Sequence, residues 1–246
     1  MPADTIKILG INFYNGSAGG VVDILKTGGL LVVPAAPALI NIKEDKAYYA
    51  SLINADVVIP DSGYMALIWN AAHLKKVNRI SGLEFLRAFF DDKEMITLNS
   101  MLLVNPSLDE ADANLRFLNG IGFLLNNNDS YLAPFYNKQK VEDPALLQLI
   151  EERKPKYILV NIGGGTQEKL GAWLKKNLSY KPAIICTGAA IAFLTGRQAN
   201  IPNWADKFYL GWLLRCMQNP KLYIPRYFGS FKLLFTILKY GSKKPG

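Results

Sequence analysis

The chain has 246 residues, half of them apolar, and a formal net charge of +8. That is enough for one sizeable α/β domain plus an appendage, and no low-complexity run or Gly/Ser linker suggests a second independent domain. Two lone cysteines, Cys186 and Cys216, and a single histidine, His73, exclude a disulfide framework, a CxxC site and histidine-metal chemistry, so neither metal nor cofactor is expected.

In chain order, Met1 to Tyr14 lacks the basic segment and apolar run of a leader, and no later stretch reaches the roughly 20 apolar residues of a spanning helix. A cytoplasmic protein is expected. Short apolar runs predict strands over Ile6–Ile11, Leu30–Val33, Val57–Ile59, Met101–Val104, Tyr157–Ile162 and Ala183–Thr187. Helical periodicity fills the intervals: Ala18–Thr27, Pro37–Asn54, Tyr64–Lys75, Leu83–Phe90, Leu108–Asn119, Pro144–Glu152, Gln167–Asn177 and Ala189–Leu194. Near-continuous apolar strands separated by helices predict a Rossmann-like α/β fold over residues 1–196, with a mostly parallel sheet covered by helices on both faces. A ligand then belongs beyond the carboxyl ends of the strands.

Three predicted strand ends carry candidates. After Val57–Ile59 comes Pro60-Asp61-Ser62-Gly63, where Asp61 either caps the following helix or serves as a general base. Arg79, in Asn78-Arg79-Ile80-Ser81-Gly82-Leu83-Glu84, pairs either with a phosphate or with Glu84. After Tyr157–Ile162, Gly163-Gly164-Gly165-Thr166-Gln167-Glu168 has the strand–glycine–helix form that lets a diphosphate reach backbone N–H groups, although it matches neither Walker A nor GxGxxG. Equally, these glycines close a tight turn with Thr166 as N-cap and Gln167 and Glu168 in the first helical turn. Thr187 and Gly188 follow the last strand. His73, near a predicted helix end, reads as a helix-terminal residue.

Residues 197–246 read as a C-terminal appendage. From Asn203 to Gly246 there are eight Lys/Arg against one acid, Asp206, and ten of the chain's 28 aromatics. Phe231, Leu234, Phe235 and Leu238 recur at i, i+3, i+4 and i+7, with Lys232, Thr236, Lys239 and Lys243 on another stripe. This predicts a helix lying in an anionic membrane interface, Phe231 and Phe235 towards the acyl boundary and Lys232 and Lys239 towards head groups. Docking of the same stripe on the protein's own core is the alternative. Self-association into a homo-oligomer is another way to hide it. Nucleic acid fits less well, because the aromatics share their face with Leu and Ile.

Five segments in order resemble the WecG/TagA/CpsF family of bacterial glycosyltransferases. They are Pro60-Asp61-Ser62-Gly63 (family Pro-Asp-Gly), Arg79 to Phe85 (Arg-x-x-Gly-x-Asp-Leu), Gly163 to Glu168 (Gly-x-Pro-x-Gln-Glu), Gly188 to Gly196 (Gly-Gly-Ala-Phe-Asp-Phe-Leu-x-Gly), and the basic Trp/Arg/Tyr-rich tail from Leu210 to Tyr227. The resemblance implies metal-free, inverting transfer of a sugar from a UDP-sugar to a polyprenyl-diphosphate-linked sugar. The enzyme would work as a peripheral protein on the inner face of the cell membrane. Asp61 then matches the general base, Arg79 the arginine that holds a diphosphate, and Gln167 the glutamine at the sugar site. The N–H groups of Gly163, Gly164 and Gly165, with Arg215 and Arg226 from the tail, would stabilise the UDP leaving group and the acceptor diphosphate. A chain cut before Asn203 would keep its fold and lose most activity.

Where the family has Thr-Pro-Asn this chain has Val33-Pro34-Ala35, and the Phe-Asp pair becomes Ile191-Ala192. These losses point either to a different sugar or to a non-catalytic partner protein that binds a nucleotide or lipid diphosphate.

Overall fold

The computed structural model describes residues 4–98, 100–198 and 211–246. Within the last stretch the side chains of several helical residues, Arg215 and Arg226 among them, lie outside the description. Six strands form one sheet: β3 (Gly29–Val32), β4 (Val57–Val58), β5 (Met101–Asn105), β6 (Ser130–Leu132), β7 (Tyr157–Val160) and β8 (Ala183–Cys186). Their order is β4-β3-β8-β7-β5-β6, and every neighbouring pair is parallel.

Alternate residues of the central strands feed two cores, one on each face of the sheet. Leu30, Val32, Ile158, Val160 and Ile184 point to one, Leu31, Leu103, Leu159 and Ile185 to the other. Helices α1 (Ala18–Leu25), α5 (Gly82–Asp91) and α7 (Leu108–Gly120) supply the second core. Helices α3 (Lys46–Ile53), α4 (Gly63–Ala72), α8 (Pro144–Arg153) and α9 (Gln167–Asn177) supply the first. Helix α9 lies close against β3 and β8: a Cβ at Gly171 would stand 2.7 Å from Leu30 Cδ1 and 2.8 Å from Cys186 Sγ. That contact fixes the height of the glycine turn at its N-terminus.

Several sequence expectations are corrected. Ile6–Ile11 is not one strand but the middle of an antiparallel hairpin, β1 (Thr5–Ile8) and β2 (Ile11–Tyr14), outside the main sheet. The chain reverses at Leu9 and Gly10, both in the left-handed region at φ 51° and 81°. Pro37–Asn54 is two helices, α2 (Ala36–Leu39) and α3, and Asp45 caps the second by accepting from Tyr48 N–H at 2.9 Å. Helix α4 ends at Ala72, with His73 as its C-cap, the imidazole stacked on Trp69 at 3.7 Å. Strand β6 and helix α6 (Lys93–Leu98) were not anticipated.

After α10 (Ile191–Leu194), the described tail holds α11 (Gly211–Gln218), α12 (Pro220–Gly229) and α13 (Lys232–Tyr240). Helix α13 has two apolar faces. Leu233 and Ile237 are fully buried in the core that also contains Leu30 and Ile184, and Leu234 packs partly against it. Phe231, Phe235 and Leu238 remain 56%, 71% and 58% exposed. So the helix docks on the protein through a face other than the anticipated stripe, and only Leu234 of that stripe turns inward. Beyond α13, Gly241 and Ser242 accept hydrogen bonds from Leu9 N–H and Gly10 N–H at 2.8 and 3.1 Å, tying the chain end to the hairpin tip. No described helix is long and apolar enough to cross a membrane.

Candidate active site

The loops that follow β3, β4, β7 and β8 surround a cleft of about 1030 Å³ at the carboxyl edge of the sheet. It lies at the upper end of the size range of small-molecule sites. Asp61, Arg79, Gly163, Gly164, Gly165, Gln167, Thr187 and Gly188 all line it.

Asp61 does not cap α4. Ser62 does, its hydroxyl accepting from Met65 N–H at 3.1 Å. The Asp61 carboxylate turns instead to α5, where Oδ1 accepts from Gly82 N–H at 3.0 Å. The negative charge therefore sits at the amide end of a helix, where the dipole favours it. Oδ2 makes no hydrogen bond among the described residues. Arg79 is locked beside it, Nε donating to the Asp61 carbonyl at 2.8 Å. Gly82 lets the start of α5 come close to the segments after β3 and β8, since a Cβ there would lie 3.3 Å from both Ala190 Cβ and Val33 Cγ1.

At the glycine turn, Thr166 holds the N-cap position but makes no side-chain cap. Glu168 reaches back instead, Oε2 accepting from Gly165 N–H at 2.6 Å. Thr166 N–H and Gln167 N–H both donate to Gly163 O, at 3.3 and 3.2 Å. Three amides that a diphosphate would use are therefore engaged, one of them by a carboxylate. Gln167 is 2% exposed, and its amide lies under Gly188, whose absent Cβ would come 3.2 Å from both amide heavy atoms. Nε2 donates to Glu168 Oε1 and Cys186 O, each at 3.2 Å, while Oε1 and the Thr187 hydroxyl are buried without a partner among the described residues.

Gly163 and Gly164 have no need of glycine's conformational freedom, and a Cβ on either would meet nothing within 4 Å. What their small size provides is open cleft. Gly163→Ala and Gly164→Ala are therefore expected to keep or slightly raise thermal stability while weakening the hold on a ligand in the cleft on the order of tenfold, about 1.4 kcal/mol, read as a rise in KM. Gly165→Ala, at φ 88°, is expected to lose stability instead. Melting curves and initial rates on the three variants check this.

Asn41, Asp45, Lys138 and Lys169 also line the cleft, and the rest of its wall is largely apolar. Val33, Ala35, Ala36, Pro37 and Ala38 form one side, so the substituted Val33 and Ala35 do face the ligand space, whereas Ile191 and Ala192 are buried. At the mouth stand Leu67, Ile224, Phe228 and Phe231, each more than half exposed, with the Phe231 ring edge-on to Tyr64 at 5.9 Å. The sequence alone did not single out Leu67, Ile224, Phe228, Tyr48, Lys138 or Glu168 as site residues. The exposed apolar positions carry a weak signal in being large and unpatterned; Glu168 carries that of its place in the Gly163 to Glu168 segment, and Tyr48 and Lys138 carry none. The side chains of Arg215 and Arg226 lie outside the described residues. Among those residues no group of three or more His, Cys, Asp or Glu is placed to hold a metal ion.

A sequence model described as "Glycosyl transferase WecG/TagA/CpsF family" matches residues 6–245. The chain is also similar to the N-acetylglucosaminyldiphosphoundecaprenol N-acetyl-beta-D-mannosaminyltransferase of Staphylococcus aureus (strain MRSA252). The two are 22% identical over 231 residues, covering 86% of this chain and 84% of the relative.

Proposed function

Because the chain belongs to the WecG/TagA/CpsF family of glycosyltransferases, we propose that it transfers an N-acetylmannosamine-type sugar from a UDP-sugar to a polyprenyl-diphosphate-linked N-acetylglucosamine in cell-surface glycan synthesis. The observation that carries this is the cleft itself: one cavity is lined both by the Asp61 carboxylate with Arg79 and by the exposed apolar side chains of Leu67, Ile224, Phe228 and Phe231. An acceptor that is sugar at one end and hydrocarbon at the other matches that combination.

In the transfer, the acceptor hydroxyl oxygen attacks the anomeric carbon of the donor from the face opposite the diphosphate. The bond from that carbon to the diphosphate oxygen breaks, UDP leaves with the electron pair, and the hydroxyl proton passes to Asp61 Oδ2. One displacement inverts the anomeric centre. The glycine turn, with the Gly165, Thr166 and Gln167 amides engaged, suits the uncharged sugar; Arg79 and tail cations such as Arg215 and Arg226 meet the diphosphate charge.

The mouth residues continue into Phe235 and Leu238 on the outer face of α13, flanked by exposed Lys232 and Lys239. This supports seating on the inner face of the cell membrane, aromatics in the interface and lysines on anionic head groups. A donor panel tests the function: UDP release should require one particular UDP-hexosamine together with a polyprenyl-diphosphate-GlcNAc in liposomes. Release from no donor, with the acceptor present, would leave the non-catalytic partner protein as the better account.

A further inference from the structure

Two carboxylates at the cleft, Asp45 and Glu168, have no part in the transfer chemistry above; Asp45 caps a helix and pairs with Lys169, whereas Glu168 is 1% exposed. A carboxylate buried at this depth is unfavourable unless its oxygens are satisfied. Both are, and only by donors: Gly165 N–H at 2.6 Å on Oε2 and the Gln167 amide at 3.2 Å on Oε1. Among the described residues neither oxygen is hydrogen-bonded to an acceptor that could take a proton from it, so the hydrogen-bond pattern is that of the ionised group.

The Gln167 amide is correspondingly fixed. Its two N–H bonds point at Glu168 Oε1 and Cys186 O, which leaves Oε1 as the atom without a partner beside Thr187 and Gly188. Turning the amide over would set its oxygen against the Cys186 carbonyl and the carboxylate together. Gly165, which takes the other Glu168 oxygen, is the only left-handed residue of the glycine turn.

We propose that Glu168 is a positioning residue for the transferase: its carboxylate holds the Gln167 amide with the carbonyl oxygen at the cleft floor, as a hydrogen-bond acceptor for a sugar, and pins the Gly163–Gly165 turn around the same sugar. This rests on the transferase function proposed above. Protonating Glu168 removes the charge that orients both, so the organised site belongs to the ionised form.

The groups around Glu168 set when that happens. Burial pushes its carboxyl up to about 7, against which the amide donors and the Lys169 ammonium act. Lys169 is itself paired with Asp45 at 2.5 Å. Tyr48 on α3 and Cys186 on β8 also feel Glu168, and burial raises both well above their usual values, so they stay neutral and add no charge. Between the ordinary carboxyl value of 4.5 and about 7, the folded protein holds a proton that the unfolded chain has released. Stability therefore falls as pH rises through this window, while the organisation of the site improves.

The experiment compares wild type with Glu168→Gln and Glu168→Asp by thermal melting and by kcat and KM from pH 5.5 to 8.5. Wild type should show an acid limb in kcat near pH 7. Glu168→Gln should lose that limb and at least tenfold in kcat at pH 8, with a smaller change in KM, and its melting temperature relative to wild type should rise by several degrees from pH 5 to pH 8. Glu168→Asp, which keeps the charge, should retain an acid limb. A Glu168→Gln enzyme with wild-type kcat and an unchanged acid limb would overturn the proposal, as would parallel melting curves across the pH range. A wild type without turnover counts against the transferase function alone, because the melting comparison decides the titration of Glu168 independently.

Discussion

Asp61→Asn is expected to lower kcat by roughly 10²–10⁴-fold, the usual contribution of a general base. The substitution keeps the shape of the side chain, and the Asn carbonyl oxygen can still accept from Gly82 N–H, which is 3.0 Å from Oδ1 in the native protein. Arg79 bonds to the main-chain oxygen of residue 61, so it too should stay in place. What disappears is the lone pair on Oδ2 that takes the acceptor proton. Melting temperature, affinity for the UDP-sugar and binding to vesicles should change little. A non-catalytic diphosphate-binding protein would show no rate to lose, and a variant with near-native kcat would remove Asp61 from the base role.

The second large effect is one of stability. Replacing Leu233 and Ile237 by Ala should cost about 2–5 kcal/mol each, since both are fully buried and their removal leaves cavities in the core where α13 packs on α4. Against a total of about 5–15 kcal/mol for an ordinary domain, the double variant should be largely unfolded or melt far below wild type. The outer face of the same helix should behave in the opposite way. Phe235→Ala and Leu238→Ala remove side chains that are 71% and 58% exposed, so stability should change by no more than about 0.5 kcal/mol. Their effect should fall on vesicle binding, where each buried side chain contributes about 1.5–3 kcal/mol and each lysine near an anionic surface about 1 kcal/mol. Co-sedimentation with anionic and neutral vesicles, alongside melting curves, separates the two faces. For the same reason, cutting the chain before Asn203 should not leave the body intact as the sequence suggested: it strips two core residues and the strap that Gly241 and Ser242 make to Leu9 and Gly10.

The sheet was legible because its central strands are buried on both faces and read as unbroken apolar runs, from Leu30 to Val33 and from Tyr157 to Ile162. The hairpin was not, because Leu9-Gly10 lacks the usual Asn-Gly signature and a leucine occupies the first left-handed position. The break between α2 and α3 was hidden by apolar Leu39 and Ile42, which carry the helical period through a turn; both are buried, Leu39 as the last residue of α2 and Ile42 beyond it. Strand β6 is three residues at a sheet edge, half exposed among asparagines, too short to show a period.

At the site, Asp61 and Arg79 could be picked out because each follows a strand or turn in a family-like order, and the fold brings them into contact. Glu168 could not be picked out as a site residue. A Glu in the first turn of a helix reads as a solvated partner of the dipole, and only the packing of α3, α9 and β8 around it makes it a buried carboxylate. In the tail, the sequence reading singled out one apolar stripe, Phe231, Leu234, Phe235 and Leu238. Periodicity gives spacing but not which residues meet the core, and the i, i+4 pair Leu233 and Ile237, outside that stripe, took that place.

The most direct test of the transferase is the mass of the lipid after incubation. Wild type and Asp61→Asn would each be given polyprenyl-diphosphate-GlcNAc in liposomes with the UDP-hexosamine that supports UDP release, and the extracted lipid analysed by mass spectrometry. The expected result is a lipid heavier by one N-acetylhexosamine unit with wild type and unchanged lipid with Asp61→Asn. Unchanged lipid with wild type, while UDP is still released, would mean that the cleft hydrolyses its donor and does not join it to a lipid-linked sugar.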